Sequence, residues 1–397
     1  MDCCVRVKVA SLSLGLVVSP RRSHLSRRSS FAKLGSLGSA RLSLDFQGVY
    51  KFNQSCNFTS GRTSTLSIVA SAQHDEYESR SVGTPLEPQS AEGNFLCGIL
   101  KSQPHIFPFA AAEQLEELAT ERNSAFARWE NSIGSPESSL HRRIAEMKDQ
   151  ECQISIQDVM YMLIVYKFTQ IKVPMVPNLY KIMNNGRLEI WSSKDEDLES
   201  IHGLEVLEMV REHLSNVIRM TCKSDSKVNL LMCGIKRLHL GRVYAASIMY
   251  GYFMKSVSLR HQLDLNLAQM NCQFPHLGNQ EQENLVALGC SANMASSSHS
   301  RSDARVKAQK LRGYMMGFDS KTLQLCAKLR SQEATNLIEN HSWALFGDHN
   351  KNTLANNEVI TVTSSGLKRL VLEAVAFGSF LWDVEGHVDT IYKLKES

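Results

Sequence analysis

Acidic and histidine side chains near residue 385 are the strongest candidates for chemistry in this sequence. Asp383, Glu385 and His387 lie within the run Trp382-Asp-Val-Glu-Gly-His-Val-Asp389. Carboxylates and imidazoles are the groups that a hard-metal site or an acid–base pair would use. On a helix, Asp383 and His387 would share one face because they are four residues apart. The same composition fits a solvated helix end near the negative pole of the helix dipole, and we favour that interpretation.

A second candidate combines basic and aromatic side chains that could contact RNA or another anionic ligand. Its members are Lys236, Arg237, His239, Arg242, Tyr244, Tyr250 and Tyr252. No recognised nucleic-acid-binding module accompanies them, so we expect the tyrosines to pack in a core and favour that interpretation over nucleic-acid binding. His341 and His349 flank a loop, with a geometry that suits a metal poorly.

The sequence lacks the motifs of P-loops, dinucleotide-binding turns, zinc proteases and serine hydrolases. We therefore assign no catalytic residue, no metal ligand and no cofactor. The cysteines that follow Ala70 are dispersed, odd in number and never spaced as Cys-x-x-Cys, a pattern that indicates neither a zinc site nor a disulfide framework. They are Cys97, Cys152, Cys222, Cys233, Cys272, Cys290 and Cys326. We expect them to be small buried side chains.

The first seventy or so residues have the composition of an organelle transit peptide. Residues 1–73 hold ten Lys and Arg, two acidic residues and about fifteen serines. We predict a chloroplast transit peptide over residues 1–70, with processing near Ala70 and Ser71, and a location in the stroma. A mitochondrial signal, a secretory signal and a plain disordered tail are the alternatives.

Removing this segment changes the charge of the protein. The whole chain carries 44 basic and 40 acidic residues, and the segment takes ten and two of them, so 34 and 38 remain. The resulting charge of −4 argues against general binding to phosphate backbones. No apolar run reaches the roughly 18 residues of a membrane span.

Helical periodicity dominates the rest of the chain and predicts an all-α fold. The predicted helices begin near Pro108, Leu140 and Ser155, with Ser155 as an N-cap, and a long one runs from about 320 to 346. Asn185-Gly186 predicts at most a small β-hairpin near 180–191, and 359–362 is a short extended piece. Small residues of the helix at about 241–259 would let a neighbouring helix approach closely; they are Gly241, Ala245, Ala246, Ser247 and Gly251.

Composition suggests the following order of segments. A disordered linker over 71–94 precedes a helical region over 95–270, and a disordered Ser-, Asn- and Gln-rich insertion over 271–302 precedes a second helical region over 303–392. Leu115, Ala119 and Arg122 match Leu323, Ala327 and Arg330 at a constant offset, so a duplicated helix–loop–helix unit is possible, and chance similarity is the alternative.

Several stretches resemble a known plant family. Leu311-Arg-Gly-Tyr-Met-Met-Gly-Phe-Asp-Ser320, Ala344-Leu-Phe-Gly347 and the run from Gly366 to Glu385 are similar to the UV-B-induced chloroplast proteins that carry the domain of unknown function 760. The resemblance covers most of residues 95–392. It implies a plastid protein linked to light or UV-B stress, and it supplies no catalytic residues.

Three functions follow as hypotheses. We favour a non-enzymatic helical protein that acts through unidentified plastid proteins, which predicts an exposed apolar patch of roughly a few hundred Å². An unrecognised stromal enzyme or small-molecule binder would instead bring Asp383, Glu385 and His387 together in a cleft. An RNA-associated protein would bind RNA with an affinity that depends strongly on the salt concentration.

Overall fold

The structure is a computed structural model that describes residues 83–184, 186–188, 190, 194–221, 232–273, 300–347 and 358–396. This part of the chain is mainly helical with one small sheet, which confirms the predicted fold class. The predicted transit peptide, most of the predicted insertion and His349 lie outside the described residues, and the predicted segment boundaries stay predictions.

The helices are α1 (Ala91–Ser102), α2 (Phe107–Asn131), α3 (Ser138–Gln170), α4 (Leu179–Ile182), α5 (Asp195–Ser200), α6 (Leu204–Thr221), α7 (Arg237–Gln273), α8 (Ser300–Met316), α9 (Ser320–Ala327), α10 (Gln332–Phe346) and α11 (Ser364–Tyr392). The strands are β1 (Met183–Asn184), β2 (Arg187–Leu188), β3 (Met232–Lys236) and β4 (Val359–Thr363).

Helix α11 forms the centre of the core. From Gly366 to Leu381 all of its residues except Lys368 are buried, as expected for a helix that is apolar on nearly all sides. It packs most extensively against α7, and it also contacts α2, α3, α5 and α6. The two predicted helical regions therefore contribute to one hydrophobic core.

Two glycines allow α7 and α11 to approach closely. A Cβ atom on Gly251 of α7 would lie 2.0 Å from the carbonyl oxygen of Val375, and one on Gly378 of α11 would lie 1.9 Å from that of Ile248. Any side chain at either position would therefore overlap the backbone of the opposite helix. The predicted role of small residues on this helix is confirmed at Gly251.

The sheet has the strand order β1-β2-β4-β3. Strands β1 and β2 form the predicted hairpin, and Gly186 adopts a positive φ of 76° in its turn. Strand β4 is the predicted extended piece, and it pairs parallel with β2 and antiparallel with β3. Strand β3 was not predicted, because its partner lies far away in the sequence.

Two predicted helix boundaries are wrong. No break separates the helices that were predicted near Leu140 and Ser155, since α3 is continuous and the Ser155 hydroxyl donates to Glu92 of α1 at 2.8 Å. The helix predicted over 320–346 is divided into α9 and α10, and Ser331 caps the start of α10. In addition, α2 packs against α3 whereas α9 packs against α7. The duplication stays a prediction.

The described cysteines include both free thiols and a disulfide-bonded residue. Cys97, Cys152 and Cys326 are free thiols, the last two of them buried, and burial raises the pKa of Cys152. Cys233 is buried and disulfide-bonded. The dispersed spacing had indicated no such crosslink.

Candidate functional site: two buried polar networks and two exposed apolar faces

The structure does not bring Asp383, Glu385 and His387 together. Asp383 pairs with Lys255 at 3.2 Å and with Lys167 at 3.6 Å. His387 is exposed to solvent, whereas Glu385 is fully buried on another side of α11. These three side chains therefore form no common cleft.

Glu385 organises the first buried network. One of its oxygens accepts hydrogen bonds from the Ser331 backbone N–H at 2.7 Å and from the Ser331 hydroxyl at 2.6 Å. The other accepts from the Tyr252 hydroxyl at 2.5 Å and from Arg330 Nε at 3.1 Å. Burial and the neighbouring carboxylate raise the pKa of Tyr252, so the phenol stays protonated and donates. The carboxylate thus ties the start of α10 to α7 and α11.

Glu373 organises the second buried network, about three turns earlier on α11. Its carboxylate accepts from the Val176 N–H at 3.0 and 3.1 Å and pairs with Arg369 at 3.2 Å. Arg369 also donates to the Pro174 carbonyl at 2.6 Å. Burial raises the pKa of Glu373 from 4.5 to about 7, although Arg369 and the Val176 N–H oppose the shift. The network fastens the connection that follows α3 to the central helix.

His341 lies beside this network and is held neutral. Its ring stacks on Phe377 with the centroids 4.3 Å apart, and its Nε2 lies 2.9 Å from the Tyr244 hydroxyl. Burial lowers the pKa of His341 to about 3. It is therefore a core histidine, and the described residues contain no group of three or more metal-ligating side chains.

Stability should depend on pH through Glu373. The folded protein retains a proton that the unfolded chain releases above pH 4.5, so wild-type stability falls as the pH rises to about 7. Each pKa unit corresponds to about 1.4 kcal/mol, so we expect the wild type to lose about 3 kcal/mol relative to Glu373→Gln over this window. Urea unfolding at several pH values measures the difference. Parallel pH profiles for the two proteins would contradict the prediction.

One serine–histidine pair resembles a nucleophile and its base. His213 Nε2 lies 3.1 Å from the Ser247 hydroxyl, and the imidazole stacks on Tyr250. The Ser247 side chain is fully buried, however, and donates to the Val243 carbonyl at 2.9 Å. A substrate has no access to this hydroxyl, so the pair is a packing contact.

The side chains of the basic and aromatic candidate site also lie apart in the structure. Tyr244 and Tyr252 are buried, as predicted. Arg237 is fully buried as well, stacks on Tyr180 at 3.7 Å and pairs with Glu358 at 3.0 Å. These residues therefore offer no continuous surface on which bases could stack.

An exposed apolar stripe follows the first half of α3. We call it the α3 stripe; it consists of Leu140, Ile144, Met147 and Ile154, which are 57%, 43%, 53% and 52% exposed. Their spacing places them on one side of the helix. Ala145, Cys152 and Ile156 occupy the opposite side and are buried. The α3 stripe thus faces away from the protein's own core.

A second exposed apolar face lies at the end of α7. Residues 262–270 are all exposed, and they include Leu263, Leu265, Leu267 and Met270, which are between 50% and 63% exposed. We call these four residues the α7 end. Sequence reasoning missed both faces, because helical spacing shows that residues share a side but not whether that side is covered. No helix in the described ranges is long and apolar enough to cross a bilayer.

Comparisons with known proteins place the α3 stripe, and the α7 end except Met270, in a recognised segment. The model of the family described as "Protein of unknown function (DUF760)" matches residues 139–267. The UV-B-induced protein At3g17800, chloroplastic, of Arabidopsis thaliana is 37% identical over 366 residues, which cover 85% of each chain. No solved structure matches. These findings confirm the resemblance, and the chain belongs to the DUF760 family.

Proposed function

We propose that this chain is a non-enzymatic protein of the plastid stroma that acts by binding another plastid protein. The Arg- and Ser-rich composition of residues 1–70 supports plastid import, with processing near Ala70 and Ser71. The chloroplastic name of the relative supports the same compartment. By the same likeness, we propose that the amount of this protein rises under UV-B.

The α3 stripe is the observation that carries this proposal. Leu140, Met147 and Ile154 recur every seven residues, and Ile144 lies between the first two. Such spacing is the pattern by which one helix packs along another. We therefore infer that the partner presents an amphipathic helix with anchors at similar spacing.

The buried networks favour binding over catalysis. Both oxygens of Glu385 accept hydrogen bonds inside the core, and Glu373 is occupied by Val176 and Arg369. A general acid or base must reach the proton that it transfers. Within the described ranges these carboxylates meet only their own protein.

The triple variant Leu140→Ser/Ile144→Ser/Met147→Ser tests the proposal. We expect stromal capture with the tagged wild type to give a stoichiometric partner, and the variant to recover at least about tenfold less of it, because anchor residues dominate such interfaces. Quantitative mass spectrometry and native sizing measure the loss. Because all three residues are exposed, the thermal midpoint should be unchanged.

The matched control is Leu263→Ser/Leu267→Ser/Met270→Ser, which removes the same kind of side chain from the α7 end. It should capture as much partner as the wild type. Equal capture by the α3 variant would refute the role of the stripe. A wild type that elutes as a lone monomer would refute the binding function, and metabolite screening would then test the enzyme hypothesis.

A further inference from the structure

The α7 end differs from the α3 stripe in its geometry. At 100° per residue, Leu263, Leu267 and Met270 fall on one side of the helix and Leu265 falls on the other. Asp264 is the one charged residue between 262 and 270, and it accepts a hydrogen bond from the Tyr314 hydroxyl. This helix end is therefore apolar on two sides and nearly uncharged.

Helices α8 and α9 meet α7 at the base of this end. The ring of Tyr314 lies 4.7 Å from that of His261, and Arg260 lies over the ring of Phe318 at 5.6 Å. Tyr314 also packs on Phe318 at 4.8 Å. The orientation of α7 at residues 260–264 relative to α8 and the connection that follows α8 is thus defined by several contacts.

Exposed basic side chains are carried by the three helices that meet here. Arg260 on α7, Lys307 and Lys310 on α8, and Lys321 on α9 are all exposed. On α8, the two lysines lie within about two turns of Tyr314. Asp264 and Asp319 are acidic residues of the same region, and the four basic residues outnumber them. Although residues 74–397 carry a net negative charge, this region thus combines an excess of positive charge with exposed apolar side chains.

The geometry favours one occupant for this face. A partner helix covers a single stripe, whereas a bilayer interface can meet Leu265 and also the three residues opposite it, on both sides of the flank where Asp264 contacts Tyr314. The end spans about 13 Å, enough to reach the roughly 5–10 Å depth at which interfacial helices bury their apolar residues. The neighbouring lysines would meet anionic headgroups.

We propose that the α7 end inserts into the interface of an anionic lipid bilayer, and that Arg260, Lys307, Lys310 and Lys321 bind its headgroups. The protein then contacts the membrane from the aqueous side. This inference is independent of the α3 stripe, which lies on another helix and fits a different kind of partner.

Vesicle co-sedimentation tests the proposal. Residues 76–397 form one compact unit that holds the described core, and their use removes the basic amino-terminal segment, which would itself bind anionic lipid. The probe is phosphatidylcholine vesicles with about 30 mol% phosphatidylglycerol at low salt. We expect the wild type to sediment with these vesicles. With vesicles of phosphatidylcholine alone, at least about tenfold less protein should sediment.

Two variants separate the apolar and the charged contributions. Leu263→Ser/Leu267→Ser/Met270→Ser should weaken binding at least about tenfold. Lys307→Gln/Lys310→Gln/Lys321→Gln should weaken it about fivefold for each lysine and flatten its dependence on salt. The α3 stripe variant removes comparable apolar surface elsewhere and should bind as the wild type does.

Four results would overturn the inference. They are a wild type that stays in the supernatant, a serine variant of the α7 end that binds normally, and equal weakening by the α3 stripe variant. The fourth is a change of oligomeric state in the serine variant on native sizing, which would assign the α7 end to a contact between copies of the chain.

Discussion

Replacing Gly378 with alanine is expected to destabilise the protein by at least about 3 kcal/mol. The new methyl group would lie 1.9 Å from the Ile248 carbonyl oxygen and 2.8 Å from the Tyr252 nitrogen, both backbone atoms of α7. Backbone atoms of a packed helix cannot rotate away as a flexible side chain can. Because α7 and α11 form the largest helix pair of the core, their separation would affect most of the described fold.

Urea unfolding of Gly378→Ala and Gly251→Ala measures this effect, and Gly313→Ala is the matched control. Gly313 lies within α8 with no atom within 4 Å of its Cβ position. Alanine is the better helix former, so this substitution should stabilise by up to about 1 kcal/mol. Equal stabilities of Gly378→Ala and the wild type would show that the two helices do not pack this closely.

Replacing Glu385 with alanine is expected to cost about 2–5 kcal/mol of folding free energy, because buried donors lose their acceptor. The substitution removes a buried carboxylate that accepts four hydrogen bonds. The buried Tyr252 hydroxyl and Ser331 N–H would each lose a partner, and an unpaired buried donor is destabilising by about 1–3 kcal/mol. Arg330 is 47% exposed, so water replaces its lost partner at little cost. The start of α10 would also lose its attachment to α11.

Chemical denaturation of Glu385→Ala, Glu385→Gln and Glu130→Ala tests this prediction. Glutamine keeps an acceptor oxygen for part of the network, so it should destabilise less than alanine. Glu130 is an exposed carboxylate on α2, and its removal should change stability by less than about 0.5 kcal/mol. A similarly small change in the stability of Glu385→Ala would mean that the network makes no net contribution to folding stability.

Local patterns predicted the helices well and their boundaries less well. The fold class followed from apolar spacing within single helices, and the hairpin followed from the glycine that its turn requires. Ser155 looked like an N-cap because its residue type is favoured there, but its hydroxyl contacts Glu92 of α1 in the fold. Strand β3 depends on β4, which follows α7, α8, α9 and α10 in the chain, so no local pattern reveals it.

The candidate site shows the same limit. Helix geometry alone predicts that Glu385 lies on a different side of α11 from Asp383 and His387. It does not predict that Ser331, Tyr252 and Arg330 would meet Glu385, because those residues come from other elements. The exposure of the α3 stripe and the α7 end could not be predicted from the sequence either, because it depends on which surfaces the tertiary structure leaves uncovered.

The central position of α11 has a consequence for the synthesis of the protein. Helices α2, α3, α5, α6 and α7 all contact α11, and all of them leave the ribosome before it does. Their inward faces stay uncovered until residues near 380 have emerged, so the core cannot close one segment at a time. Such late, long-range closure leaves apolar surface accessible in the nascent chain, which makes chaperone binding during synthesis an expected requirement.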